Sequence, residues 1–356
     1  MEKKILITTG GSGGHVIPAL ILKEHLVEKF KVIISSDIRG LKYFDKEIFE
    51  HVIINTPRLK SLFFLPLNLI LIFYLILKSY FFMKKKKIEK IFSIGGYMSL
   101  PVILAARLLN LEIYLIEPNQ VLGRANKFFL RFCKKIFCYS ENIKNFSNNF
   151  RDKIITINPL VKKKVYEFDF DNEISQKNKF TLLVVGGSQG ANFFDKNLKN
   201  SIVNISKNNN LKIIQQTNEH NVTFLSKFYL ENNIENKIFS FDKNFTENIQ
   251  KVDLCITRAG ASTLAELSLL NIPFIAVPLP TSKDNHQFEN ANFYKNKDCC
   301  WIIEQNNFDK KIEDLIRHIL TNFGEYKKKK ENLKKLNYQN TWINVNQKIL
   351  KNINEN

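Results

Sequence analysis

Two glycine-rich stretches follow short apolar runs and define the chemistry open to this chain. Gly10-Gly11-Ser12-Gly13-Gly14-His15 comes after Ile5-Leu6-Ile7-Thr8, and Gly186-Gly187-Ser188-Gln189-Gly190-Ala191 comes after Leu182-Leu183-Val184-Val185. A glycine turn between strand and helix lets backbone N–H groups approach an anion without Cβ interference and aims a helix N-terminus at it. Both stretches therefore read as phosphate or diphosphate cradles, the alternative being a tight turn with no ligand. Neither ends in Gly-Lys-Ser/Thr, which disfavours a P-loop nucleotidase. Asp37, at the end of the next apolar run, stands where a dinucleotide fold keeps its ribose-binding acid. The Gly-x-Gly-x-x-Gly spacing is not met, however, because the third glycine falls at Val16, and this weakens an oxidoreductase reading.

His15 sits at the mouth of the first cradle, where a neutral imidazole suits a general base; a hydrogen-bonded structural histidine is the alternative. A third turn, Gly95-Gly96-Tyr97, puts an aromatic hydroxyl at a strand end, where open α/β sheets bind ligands. In the second half, Thr257-Arg258-Ala259-Gly260-Ala261 follows an apolar run, and Glu266 falls one to two helical turns further on. A carboxylate there accepts two hydrogen bonds from a ribose diol, unless it is an ordinary exposed helix residue. The segment 278–290 carries Asp284, Asn285, His286, Gln287 and Asn290, polar groups suited to sugar hydroxyls. Two phosphate cradles, a ribose acid and a sugar-reading loop describe a nucleotide-sugar site.

The elements that must position these groups alternate. Strands are expected at Lys4 to Thr8, Val32 to Ser35, Ile91 to Ile94 and Ile113 to Ile116, with a helix over Pro18 to Phe30 whose proline lies in its first turn. Val161 to Lys179 turns polar and reads as a linker. The pattern then restarts with strands at Thr181 to Val185, Leu211 to Gln215, Lys237 to Phe239, Leu254 to Thr257 and Phe274 to Val277. Short continuous apolar runs suit parallel sheets covered on both faces, so two doubly wound α/β halves are expected. The 356-residue length agrees with two domains. Asp169-Phe170-Asp171 looks like a metal-binding pair but falls in the polar linker, and no metal or cofactor is expected.

The chain carries a formal charge of +19, and 8 of its 53 cations are Arg. A Lys-heavy excess favours diffuse attraction to an anionic surface over bidentate readout, and no aromatic-basic motif supports nucleic-acid binding. Five cysteines without framework spacing argue for reduced thiols in a cytoplasmic setting. From Leu62 to Leu77 the chain is uncharged and mostly Leu, Ile and Phe, and Lys84 to Lys87 follow closely. An in-plane helix docked on an anionic membrane face is the favoured reading, since basic residues beside it add to that attraction; a core helix or a true span are the alternatives.

As an ordered set, Gly10 to Pro18, Gly95 to Pro101, Glu117 to Asn126, Gly186 to Ala191, Arg258 to Glu266 and Asp284 to Ala291 resemble the MurG family. These bacterial enzymes move N-acetylglucosamine from UDP onto an undecaprenyl-diphosphate-linked muramoyl-pentapeptide. The resemblance implies a GT-B architecture of two Rossmann-like domains with parallel sheets facing across a cleft. Residues 1–160, with a C-terminal helix in 338–356 packing back, would take the acceptor at the cytoplasmic face of the inner membrane; residues 161–337 would take UDP-N-acetylglucosamine. It implies His15 as base, Ser12, Gly13 and Gly14 near the acceptor diphosphate, Tyr97 in the cleft and Asn119 on the donor sugar. Ser188, Gln189 and Gly190 would hold the donor phosphates, Glu266 the ribose, and His286 and Gln287 the sugar hydroxyls. The chain departs from the family pattern where Ile116 and Pro118 replace a His and a Gln, Val161 replaces an Arg, and Leu100 stands where a Gly is common. The implied reaction is an inverting single displacement.

Overall fold

The computed structural model describes residues 3–45, 47–57, 64–168, 179–240, 249 and 252–354, with the side chains at 188–190 outside that description. The chain divides into two compact units, Met1–Lys163 with Asn340–Asn356, and Lys164–Gln339. The first unit runs β1 (Lys4–Thr8), α1 (Gly13–Leu26), β2 (Lys31–Ser36), β3 (His51–Ile53), α2 (Leu65–Lys86), β4 (Ile88–Ser93), α3 (Leu100–Leu108), β5 (Glu112–Glu117), α4 (Arg124–Phe129), β6 (Lys135–Cys138) and β7 (Ile154–Thr156). Its sheet is parallel, in the order β3-β2-β1-β4-β5-β6-β7. Successive strand residues point to opposite faces, and both faces are apolar here. Leu6, Ile91, Ile113, Leu115 and Ile136 enter the core under α2, α3 and α4. Ile5, Ile7, Phe92, Tyr114, Ile116 and Phe137 enter the opposite core under α1.

The second unit comprises β8 (Phe180–Val185), α5 (Gly187–Asn197), α6 (Lys199–Ser206), β9 (Leu211–Gln216), α7 (Val222–Glu231), β10 (Glu235–Phe239), β11 (Leu254–Thr257), α8 (Ala261–Leu269), β12 (Phe274–Ala276), α9 (His286–Lys295), β13 (Cys300–Ile302), α10 (Phe308–Thr321) and α11 (Phe323–Leu336). Its parallel sheet has the order β10-β9-β8-β11-β12-β13. In both sheets the strand order reverses beside the strand that carries a glycine turn: between β1 and β4, and between β8 and β11. The crevice at such a reversal, outside the C-terminal strand ends, is where open α/β sheets bind ligands.

Two local expectations are corrected. Helix α1 begins at Gly13, so Pro18 lies inside it rather than in its first turn. The helix starts inside the glycine stretch because the Ser12 carbonyl accepts the His15 and Val16 N–H groups at 3.0 and 3.2 Å. The polar linker is apolar where it begins, since Leu160, Val161 and Val165 are buried. Val161 therefore packs in a core where the family's arginine would stand. The Asp169-Phe170-Asp171 pair lies outside the described residues.

Helix α2 is long and apolar enough to cross a membrane. The strands flanking it, β3 and β4, nevertheless lie in one parallel sheet. Ile72, Leu75, Ser79 and Met83 form its buried stripe, while Leu67, Ile70, Phe73, Tyr74 and Phe81 stand 59–67% exposed. The helix is thus neither a core helix nor featureless surface: one stripe docks it and the rest of its apolar surface meets solvent. The interruption at Lys78 is accommodated because its Nζ reaches the Ile53 carbonyl at 3.2 Å.

The last helix, α12 (Trp342–Asn354), places Val345, Ile349, Leu350 and Ile353 in the core shared with β1 and α1. The Trp342 ring stacks on His25 at 3.6 Å. Burial pushes the His25 pKa from 6.5 down to about 3, so ionising it inside the fold costs about 5 kcal/mol. Between those pH values the unfolded chain holds a proton that the native one lacks. The contribution is therefore full above pH 6.5 and is lost as pH falls toward 3. Urea midpoints measured at pH 7 and pH 4.5 are expected to drop more for the wild type than for His25→Phe; parallel drops would contradict this.

Candidate nucleotide-sugar and acceptor sites

At the first sheet's reversal point, three turns are tied together by hydrogen bonds. Thr8 and Ser93 are in register, so the turns after β1 and β4 leave the sheet at the same level. His15 Nδ1 meets the Ile94 carbonyl at 3.1 Å. A carbonyl only accepts, so neutral His15 carries its proton on Nδ1 and Nε2 is the basic nitrogen. Nε2 faces the next turn, and a Cβ on Gly96 would lie 3.6 Å from it. Gly96 has φ +82° and Gly11 φ +80°, the left-handed backbone that favours glycine at these close approaches.

Asp37 is not available as a ribose ligand. Its Oδ1 accepts the N–H of Gly11 at 2.7 Å and of Gly40 at 3.0 Å, and its Oδ2 takes Arg39 Nε and Nη2 at 2.8 and 2.6 Å. Burial acts to raise its pKa, but these donors outweigh it and hold the carboxyl below the usual range. Arg39 Nη2 also donates to the Tyr97 hydroxyl at 2.7 Å, bringing that tyrosine onto the first glycine turn. Asn119 sits on the turn after β5, its Nδ2 and N–H bonded to Glu117 Oε1 at 3.0 and 3.2 Å. The other Glu117 oxygen accepts Gly123 N–H at 2.8 Å and Asn126 Nδ2 at 3.0 Å. Glu117 is 2% exposed, and burial raises its pKa. Asn126 in turn lies against Gly95, where an added Cβ would come within 3.1 Å of Nδ2. His15, Tyr97 and Asn119 are thus joined through residues that the sequence reading did not assign: Arg39, Glu117 and Asn126. Asp37 suits a ribose ligand by type and position, but it braces the turn instead.

In the second sheet Val185 and Thr257 are in register, so its glycine turn and the Arg258–Gly260 turn also leave together. Gly187 opens α5 at φ +61°, its N–H bonded to Gln216 Oε1 at 3.1 Å. The side chains of Ser188 and Gln189, and the surroundings of Gly190, lie outside the described residues; their backbone is the first turn of α5. Glu266 is 8% exposed on α8, which removes the exposed-helix alternative. Asn290 Nδ2 donates to the Ala259 carbonyl at 3.1 Å, tying the polar loop to the turn before α8. Gln287 Oε1 accepts Leu279 N–H at 2.9 Å and His286 Nδ1 donates to the Lys283 carbonyl at 2.8 Å. Arg258 is buried, donating to the Val277 carbonyl and to Gln305 at 3.1 and 2.7 Å, with its pKa pushed down to about 10 by burial. It remains charged at neutral pH and braces the ends of β11 and β12.

Comparison with known proteins agrees with this geometry. Residues 5–138 match the glycosyltransferase family 28 N-terminal domain, and residues 181–342 match its C-terminal domain. The chain is 50% identical, over 100% of both proteins, to the UDP-N-acetylglucosamine--N-acetylmuramyl-(pentapeptide) pyrophosphoryl-undecaprenol N-acetylglucosamine transferase of Pelagibacter ubique. It is 33% identical to the enzyme of that name from Rickettsia typhi, over 90% of this chain and 91% of the relative. A crystal structure of Acinetobacter baumannii MurG superposes with a TM-score of 0.74 and 20% identity, covering 94% of this chain and 95% of that one, which shows the shared fold. With both family 28 domains matched and close identity along its whole length, the chain belongs to the MurG family of N-acetylglucosaminyltransferases.

Proposed function

We propose that this chain transfers N-acetylglucosamine from UDP to the C4 hydroxyl of undecaprenyl-diphospho-muramoyl-pentapeptide in peptidoglycan synthesis. The observation that carries the reading is that each parallel sheet presents a glycine turn at its own reversal point, with His15 in the first turn of the helix after one and Glu266 buried on the helix that follows the strand next to the other. Residues 1–160 with 338–356 bind the acceptor, and residues 161–337 bind the donor. His15 Nε2 takes the proton of the C4 hydroxyl as that oxygen attacks the anomeric carbon from the face opposite UDP. The bond to the UDP oxygen breaks, and the charge left on the diphosphate is stabilised by the first turn of α5 at 187–190. Glu266 holds the ribose hydroxyls, Asn119, His286 and Gln287 read the sugar, and Ser12, Gly13, Gly14 and Tyr97 line the acceptor side. The direct test is incubation with UDP-N-acetylglucosamine and a panel of polyprenyl-diphosphate sugars. Mass spectrometry is expected to show one added N-acetylhexosamine on the muramoyl-pentapeptide lipid. Addition only to other acceptors would redirect the assignment.

The exposed face of α2, with Lys84 and Lys85 exposed at its C-terminal end, supports docking on the anionic cytoplasmic face of the membrane. Wild type is expected to co-sediment with vesicles containing anionic lipid and to bind neutral vesicles more weakly. Replacing Leu67, Ile70 and Phe73 together by Ser is expected to weaken sedimentation at least about 10-fold, since each buried apolar side chain contributes about 1.5–3 kcal/mol. Turnover of a short-chain soluble acceptor should stay unchanged. Undiminished sedimentation would place the membrane contact elsewhere.

A further inference from the structure

The first glycine turn contains no cation of its own, yet one is held against it. Arg39 comes from the loop after β2, and a Cβ on Gly11 would lie 3.7 Å from its Nη2. Its Nε and Nη2 are locked on Asp37 and its Nη2 on Tyr97. Nη1 has no acceptor among the described residues, and the side chain is 40% exposed. A pocket of about 250 Å³ opens at this point, lined by Asp37, Ile38, Arg39, Asn55, Thr56 and Tyr97. That is below the ~300–1,000 Å³ of sites that enclose a whole ligand, so it takes one group of a larger molecule. A guanidinium fixed before the ligand arrives loses little freedom on binding, and its Nη1 keeps two N–H donors for an oxyanion.

We propose that Arg39, positioned by Asp37 and Tyr97, is an oxyanion ligand for the lipid-linked acceptor. Asp37 carries two jobs in this arrangement: it pins the turn through the Gly11 N–H and aims the arginine across it. The inference rests on the transferase reading above. Two acceptor groups share the required chemistry, the diphosphate and a peptide carboxylate, and the experiment separates them.

Steady-state kinetics of wild type, Arg39→Lys and Arg39→Met are measured with three soluble acceptors. One carries the diphosphate and free peptide carboxylates, one a monophosphate in place of the diphosphate, and one amidated carboxylates. Arg39→Met is expected to raise the KM of the first acceptor roughly 10- to 100-fold, the loss of charge-assisted hydrogen bonds, with the KM for UDP-N-acetylglucosamine unchanged. Arg39→Lys should recover part of it, as a point charge without donors fixed in direction. If the diphosphate is the ligand, the penalty shrinks on the monophosphate analogue and persists on the amidated one; if the carboxylate is, the pattern reverses. An equal penalty on all three acceptors, a matching rise in donor KM, or no penalty would overturn the proposal. Because Arg39→Met leaves Asp37 without its partner, a second arm titrates inorganic diphosphate into wild type and Arg39→Lys calorimetrically, with melting temperatures compared. Failure of wild type to glycosylate any acceptor would instead bring down the transferase reading.

Discussion

Replacing His15 by alanine is expected to lower kcat about 10²- to 10⁴-fold, the usual contribution of a positioned general base, with little change in either KM. The geometry makes the role specific. The Ile94 carbonyl fixes the Nδ1–H tautomer of the neutral ring, and the residue lies in the first turn of α1. In that tautomer the lone pair of the neutral ring lies on Nε2. His15→Gln retains a side chain of similar reach that cannot take the proton, so it should lose rate nearly as fully as alanine. The measurement is radiolabelled sugar transfer at saturating donor and acceptor. Equal rates in wild type and His15→Ala would remove His15 from the chemistry while leaving the family assignment intact.

The second large effect is at Glu266. The residue is buried on α8, the helix that follows the turn level with the second glycine turn. A carboxylate accepting two ribose hydroxyls makes charge-assisted hydrogen bonds of about 1.5–3 kcal/mol each. Glu266→Gln keeps the shape but loses the charge and one acceptor, so the KM for UDP-N-acetylglucosamine is expected to rise about 10- to 100-fold. The KM for the acceptor should remain within about twofold, because Glu266 binds only the nucleotide in this scheme. The 2′-deoxyribose analogue of the donor provides the control. The variant should discriminate it less from the normal donor than wild type does. Undiminished discrimination would mean that Glu266 is a structural carboxylate.

Much of this was legible in the residues because it is local. A run such as Ile5-Leu6-Ile7 followed by glycine specifies a covered strand and a turn within a few positions, and its echo at Leu182 to Ala191 doubles the unit. The β11–α8 junction was readable for the same reason. Helix boundaries were less so. All four glycines at 10–14 suit a turn, yet only Gly10 and Gly11 precede α1, while Gly13 and Gly14 open it and Pro18 is carried inside.

What the sequence by itself determined is therefore the inventory: two parallel α/β units, their glycine turns, and the polar residues placed just after strand ends. Tertiary structure alone decided which of those residues act together. Tyr97 meets Arg39 across 58 positions, and His15 meets Ile94 across 79. The buried stripe of α2 is likewise set by what packs on it, and α12 joins the core of β1 and α1 from the far end of the chain. Such contacts leave no periodic trace, because a hydrogen bond constrains only the two groups that make it. Asp37 illustrates the difference: its type and position suit a nucleotide ligand, and only the nearness of Gly11, Gly40 and Arg39 makes it a brace for the turn instead.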